Sequence, residues 1–173
     1  MRRINAPEFW KWAFSDFMSN ALRGVLAEFI VATSLNCARR PRIQWDAYDL
    51  VVDEDLRIEV KSSAYLQAWE QKKLSIIRFD IDHKKSWDAQ TNTWSNEAIR
   101  PANVYVFCIF SATDKATADP LNLEQWFFLV CSTQWLNEKL GTQKTVGLSA
   151  LDQLGLRRVS FDQLAEEIRS VKS

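Results

Sequence analysis

Histidine occurs once in the chain, at His83, which leaves no zinc site built on several imidazoles. The cysteines are three, Cys37, Cys108 and Cys131, and their spacing matches no zinc knuckle. Cys108 and Cys131 sit inside apolar runs, where a thiol behaves as a small buried hydrophobe. An odd count without a secretory-type start points to a reducing, cytoplasmic compartment. The 22 basic residues equal the 22 acidic ones, which argues against a strongly basic nucleic-acid coat but leaves room for a local positive groove. No stretch reaches the roughly 18 apolar residues of a membrane span. Internal repeats and low-complexity tracts are absent too.

What remains is a chain of 173 residues, 47% of them apolar, which fits one domain over 1–173 and excludes disorder. A chain of this size buries roughly two-thirds of its unfolded surface, so it needs neither disulfides nor a structural metal. Eight tryptophans can pack a core, line a binding surface or meet a partner. Phe9, Trp10, Trp12, Phe14 and Phe17 mark a short N-terminal helix, Phe9 to Phe17, expected to pack on the domain.

A longer helix is predicted from Asn20 to Asn36, with Leu22, Val25, Leu26, Phe29, Ile30 and Thr33 on one face. The run Arg39-Arg40-Pro41-Arg42 would end it. Tyr48 to Val52 and Leu56 to Val60 read as two strands of a hairpin with Asp53-Glu54-Asp55 as its turn. Ala64 to Lys73 has helical spacing, Ile76 to Ile81 strand character, and His83 to Arg100 no clear pattern. Val104 to Phe110 and Trp126 to Val130 read as interior strands joined by a loop. Thr133 to Leu140 is predicted helical, capped by Ser132 or Thr133 and ended by Gly141. A last helix follows Ser160, with Phe161, Leu164, Ile168 and Val171 as its apolar face. The order implies an α/β or α+β domain around a mixed sheet.

The chemistry concentrates at Glu59-Val60-Lys61. Strand alternation puts Glu59 and Lys61 on one face and Val60 on the other. Asp49 lies on the preceding strand, with nine residues between it and Glu59, enough for two short strands and a turn. Two carboxylates so placed can hold one hard divalent cation. The cation would polarise a phosphate oxygen and acidify water, and Lys61 would serve as base or electrostatic clamp. A plain salt bridge of Lys61 with Glu59 or Asp49 explains the same residues without chemistry. Glu28 lies roughly 100° off the apolar stripe of its helix, beside Gly24, Val31 and Leu35, and wants either a base such as Arg23 or a metal.

These residues together resemble the PD-(D/E)XK nuclease superfamily, the restriction-endonuclease-like fold. The helix acid corresponds to Glu28 in RGVLAEFIVA, the hairpin aspartate to Asp49 in YDLVV, and the paired motif to Glu59 and Lys61 in RIEVKSS. Gln67 in YLQAW fits a polar position found on a helix after the lysine in some branches. Tyr48 replaces the family's proline, and Asp46 in WDAYD rivals Asp49. The resemblance implies an α/β core, a central four-stranded mixed sheet flanked by helices, formed by Asp49 to Val52, Leu56 to Lys61, Val104 to Phe110 and Trp126 to Val130. It implies a Mg²⁺-dependent DNA endonuclease, with Mn²⁺ able to replace Mg²⁺, in which Asp49, Glu59 and Glu28 bind metal, Lys61 assists water and Gln67 orients water or phosphate. Such enzymes often act as homodimers. With no DNA-recognition domain visible, specificity falls to loops, DNA structure or a protein partner.

Ser62 and Ser63 can bind phosphate or cap the next helix. Arg39, Arg40, Arg42, Lys72, Lys73, Arg78, Lys84 and Lys85 are the candidate phosphate contacts. Tyr65, Trp69, Trp87 and Trp94 can stack on bases or pack inside. His83 can move protons or lie on the surface, and its isolation argues against a His-Asn-His-type nuclease. A non-catalytic chain that binds nucleic acid or protein is the competing reading.

Overall fold

A computed structural model describes residues 3–39, 42, 47–53, 55–85, 87–88, 93–94 and 97–171. Arg40, Asp46 and Glu54, and the side chains of Trp87 and Trp94, lie outside the described residues. In chain order the elements are α1 (Ala6–Ala13), α2 (Asn20–Ser34), β1 (Leu50–Val52), β2 (Leu56–Ala64), β3 (Arg78–Asp80), β4 (Trp87–Asp88) and β5 (Thr93–Trp94). There follow β6 (Val104–Phe110), β7 (Trp126–Ser132), α3 (Thr133–Leu140), β8 (Thr145–Gly147), α4 (Leu148–Gln153) and α5 (Phe161–Ser170).

The centre is a four-stranded mixed sheet in the order β1-β2-β6-β7, the α/β architecture expected from the sequence. β2 and β6 are parallel, while the β1/β2 and β6/β7 pairs are antiparallel. All seven residues of β6 are buried, because strands flank it on both edges and packed layers cover both faces. On one face Ile58, Val60, Val106 and Phe128 meet Ala27, Ile30 and Val31 of α2 and Leu164 and Ile168 of α5. On the other, Tyr105, Phe107 and Leu129 meet Leu136 of α3, Leu151 of α4, and Phe79 and Val146 of the β3/β8 ribbon.

Local signals explain most ends. Ser19 caps α2, its side chain accepting from Leu22 N at 3.3 Å. Asn36, at φ 57°, stops α2 in the left-handed region that asparagine tolerates. The helix therefore ends before the Arg39 to Arg42 run to which the sequence assigned its end. Asp53, at φ 51°, turns the β1/β2 hairpin. Ser132 caps α3 by accepting from Trp135 N, and Gly141 ends it at φ 51°.

Four expectations need correction. No helix forms over Ala64 to Lys73: β2 continues to Ala64 because its pairing with β6 runs to Ala64↔Phe110. The chain then loops, closed by Ser75 N donating to Tyr65 O at 2.9 Å. The N-terminal helix spans Ala6–Ala13, started by the Asn5 cap and a proline in its first turn. It does not pack on the domain, and Trp12 is 85% exposed. The strand expected at Ile76 to Ile81 shortens to β3 and pairs with β8 outside the central sheet. Among the described residues no helix is long and apolar enough to cross a membrane.

Candidate active site

Glu59 and Lys61 project from the middle of β2, on the face opposite Ile58 and Val60. Asp49 stands just before the first hairpin pair, Leu50↔Ile58, near enough to Glu59 for the two carboxylates to feel each other's charge. Two backbone bonds fix Asp49 there: its N–H donates to Ile58 O at 3.0 Å, and Val60 N–H donates to its Oδ2 at 2.7 Å. Lys61 Nζ donates to Glu59 Oε1 at 2.6 Å, and Lys84 Nζ lies 3.4 Å from the same oxygen. Glu59 itself is 6% exposed.

The charges are unevenly shared. Burial, then the Glu59 carboxylate, pushes the Asp49 carboxyl up from 3.8 to about 6; Glu28 adds to the rise, while the Val60 N–H and Lys61 oppose it. Among the described residues no lysine or arginine forms an ion pair with Asp49. Glu59 has two ammonium groups within ion-pair distance, whereas Lys61 acts on Asp49 only from beyond it. A half-buried carboxylate in this position is stabilised by an added cation.

Glu28, on the inner side of α2, is 9% exposed. Its base is Arg42, not Arg23. Arg42 Nη2 donates to Glu28 Oε1 at 2.7 Å, and Arg42 Nε donates to Oε2, a two-pronged pair. That hydrogen bonding raises the Arg42 pKa further. Among the described residues no group of three or more His, Cys, Asp or Glu side chains is gathered tightly enough to hold a metal ion. Asp49 and Glu59 are two carboxylates close enough to interact at the open end of the hairpin, and Mg²⁺ commonly takes one or two carboxylates with water completing its shell. The residues present therefore fit a divalent cation at Asp49 and Glu59, with Glu28 held back by Arg42.

Gln67 stands apart from this group. It lies in the loop after β2, 7% exposed, and its amide is fully engaged. Nε2 donates to Ala64 O and to Ser75 Oγ, both at 3.1 Å, while Oε1 accepts from Arg23 Nη2 at 3.5 Å. Arg23, 3% exposed, also donates to Met18 O and Asn20 Oδ1, and burial lowers its pKa. Ser62 and Ser63 belong to β2 and cap no helix. Trp69 is 57% exposed, Tyr65 and His83 are half-buried, and Arg39, Lys72, Lys73, Arg78 and Lys85 are exposed.

Two residues take unanticipated places. Lys84, read from sequence as a phosphate contact, reaches Glu59 because a bridge to Ile99 pins its backbone; its patternless surroundings concealed this. Tyr105 lies beside Glu59 in the β2/β6 register and is 2% exposed. Burial and the Glu59 charge push its phenol well above the ordinary range. Aligning β6 with β2 by their alternation would have exposed it.

A family model described as bacteriophage T4 endonuclease IV matches residues 12–149, a span that contains every acidic and basic group just described. Neither the curated proteins nor the solved structures gave a match to the chain.

Proposed function

The chain belongs to the bacteriophage T4 endonuclease IV family, and from that premise we propose that it is a divalent-metal-dependent DNA endonuclease of the PD-(D/E)XK type, one domain over 1–173. The observation that carries the reading is Asp49, half-buried without an ion-pair partner among the described residues, within electrostatic reach of Glu59 and Lys61. Asp49 and Glu59 would hold Mg²⁺ or Mn²⁺. When bound, such an ion supplies positive charge to a phosphate oxygen and acidifies water.

The protein's own groups do the rest. The Val60 N–H holds Asp49 in place through one oxygen and leaves the other for binding. Lys61, anchored on Glu59, is a clamp for the charge that grows on phosphorus and orients the attacking water. Lys84 adds a second positive charge on the same carboxylate. Glu28 completes the acidic group when Arg42 turns away to a phosphate. Gln67 acts through Arg23 and the loop, keeping the end of β2 in register, rather than by touching substrate. A homodimer would let each protomer cut one strand of a duplex. The exposed aromatic face of α1, with Trp10 and Trp12, suits a protein partner that supplies specificity. The compartment proposed is the cytoplasm.

The test is Mg²⁺- or Mn²⁺-dependent cleavage of linear, nicked, branched and single-stranded DNA by the native protein, Lys61→Ala and Glu59→Ala. Cleavage by the native protein alone is expected. A folded native protein that neither cleaves nor binds either metal calorimetrically is a binding module instead.

A further inference from the structure

The last parallel pair of the sheet is Ala64↔Phe110, and an open cleft of about 510 Å³ lies between the segments that leave those two strands. Crevices beyond the carboxyl ends of parallel strands are where such sheets bind ligands. Leu66, Trp69, Leu74, Lys73 and Lys115 line this one. At the strand rise of ~3.3 Å per residue, Ala64 is about 10 Å along β2 from Lys61.

The lining has two parts. Trp69 (57% exposed) and Leu74 (42% exposed) offer an indole face and an aliphatic wall that nothing in the fold covers. Beside them stand two ammonium groups. Among the described residues neither Lys73 nor Lys115 has a carboxylate within ion-pair distance. Of the two acids lining the cleft, Asp114 is turned onto its own loop, accepting from Ala116 N at 3.0 Å and Thr117 Oγ1 at 3.2 Å, which leaves Glu70 alone against the lysines.

Both walls are fastened. Gln71 Oε1 accepts from Gln67 N at 2.7 Å, and its Nε2 donates to Ser75 Oγ at 3.0 Å and Tyr65 O at 3.3 Å. An exposed indole on a braced loop, flanked by unpaired ammonium groups, suits a group with a flat π-face and a phosphate attached. We infer that this cleft is a nucleotide subsite: one unstacked base of the nucleic acid lies on Trp69, and its flanking phosphates meet Lys73 and Lys115. The subsite deepens the nucleic-acid reading above and rests on it.

Binding of a dye-labelled, mixed-sequence DNA single strand without divalent ion tests it, read by fluorescence anisotropy. Trp69→Ala is expected to weaken binding on the order of 10- to 100-fold, and Trp69→Phe to keep most of it, since stacking needs only an aromatic face. The double variant Lys73→Ala/Lys115→Ala should flatten the slope of log affinity against log salt by about 1.4. In a scan that replaces one base at a time by an abasic residue, one position should cost the native protein affinity and cost Trp69→Ala nothing. Equal binding by native and Trp69→Ala proteins, identical abasic profiles, or no binding by the native protein overturns the subsite. Metal-dependent cleavage with binding indifferent to Trp69 leaves the nuclease standing and removes only the subsite. Trp69-dependent binding without cleavage does the reverse.

Discussion

Asp49 has a signature that can be measured before any substrate is known. Its carboxyl titrates near 6 in the folded protein because burial and the neighbouring Glu59 and Glu28 charges oppose ionisation. A raised carboxyl pKa means that the native state binds a proton which the unfolded state has already lost. Below about pH 4 both states are protonated and nothing is lost; above the folded value both are ionised and the full cost is felt. Asp49→Asn can still accept from Val60 N–H and carries no charge, so it should be more stable than the native protein. The gain should grow from pH 4 to 6, reach the order of 2 kcal/mol and then level off, while cleavage is lost. Urea titrations of both proteins across that range, with a cleavage assay beside them, check it. A gain that is flat with pH would mean that Asp49 is neutralised by something other than a proton. The acids and the lysine were legible in the sequence because strand alternation alone pairs Glu59 with Lys61. Arg42 as partner of Glu28, and Lys84 as partner of Glu59, were not, since both contacts close through segments without periodicity.

Among the elements, the strands were read best and the loop after β2 worst. β6 and β7 are continuous apolar runs with one interpretation. The loop from Tyr65 to Ser75 carries helix-like spacing, but one side chain, Gln71, bonds the Gln67 N–H and the Tyr65 and Lys73 carbonyls. A pattern scan counts apolar positions and cannot see a glutamine replacing backbone partners. β8 and α4, short and docked on the β3 ribbon, gave no signal of their own. The loop and the expected helix respond oppositely to one substitution. Gln71→Ala should destabilise the protein by about 1–2 kcal/mol and speed hydrogen exchange over residues 65–75. In a helix the same change would be neutral or favourable, alanine being the better helix former. Urea unfolding together with exchange mass spectrometry separates the two.

At the level of the whole molecule, a mixed sheet followed from the order of the elements, and its four strands with flanking helices from the resemblance to the restriction-endonuclease-like fold, while the strand order came only with the structure. The detachment of α1 did not follow: its aromatic stripe reads like a packed face although none of its residues is buried. A cation held by Asp49 and Glu59 would stabilise only the folded chain. Mg²⁺ at a hundredfold its dissociation constant should add about 2.7 kcal/mol. That corresponds to a Tm rise on the order of 5–10 °C for a domain of this size. Calorimetric scans should find the rise in the native protein and none in Asp49→Asn.

The position of β6 has a consequence for how the chain reaches this state. The β1/β2 hairpin joins near neighbours and can close within about 1–10 μs, so the two carboxylates assemble early. Its parallel partner must be brought from Val104 to Ile58, the kind of distant pairing that slows folding. Until then β6, whose seven residues include no charge and no proline, stands open with the character of a self-associating segment. Arg100 and Pro101 before it, and Asp114 and Lys115 after it, are the residues that restrain such association. Substitutions that delay the closing of β2 onto β6 should therefore reveal themselves as insoluble chains rather than as slow ones.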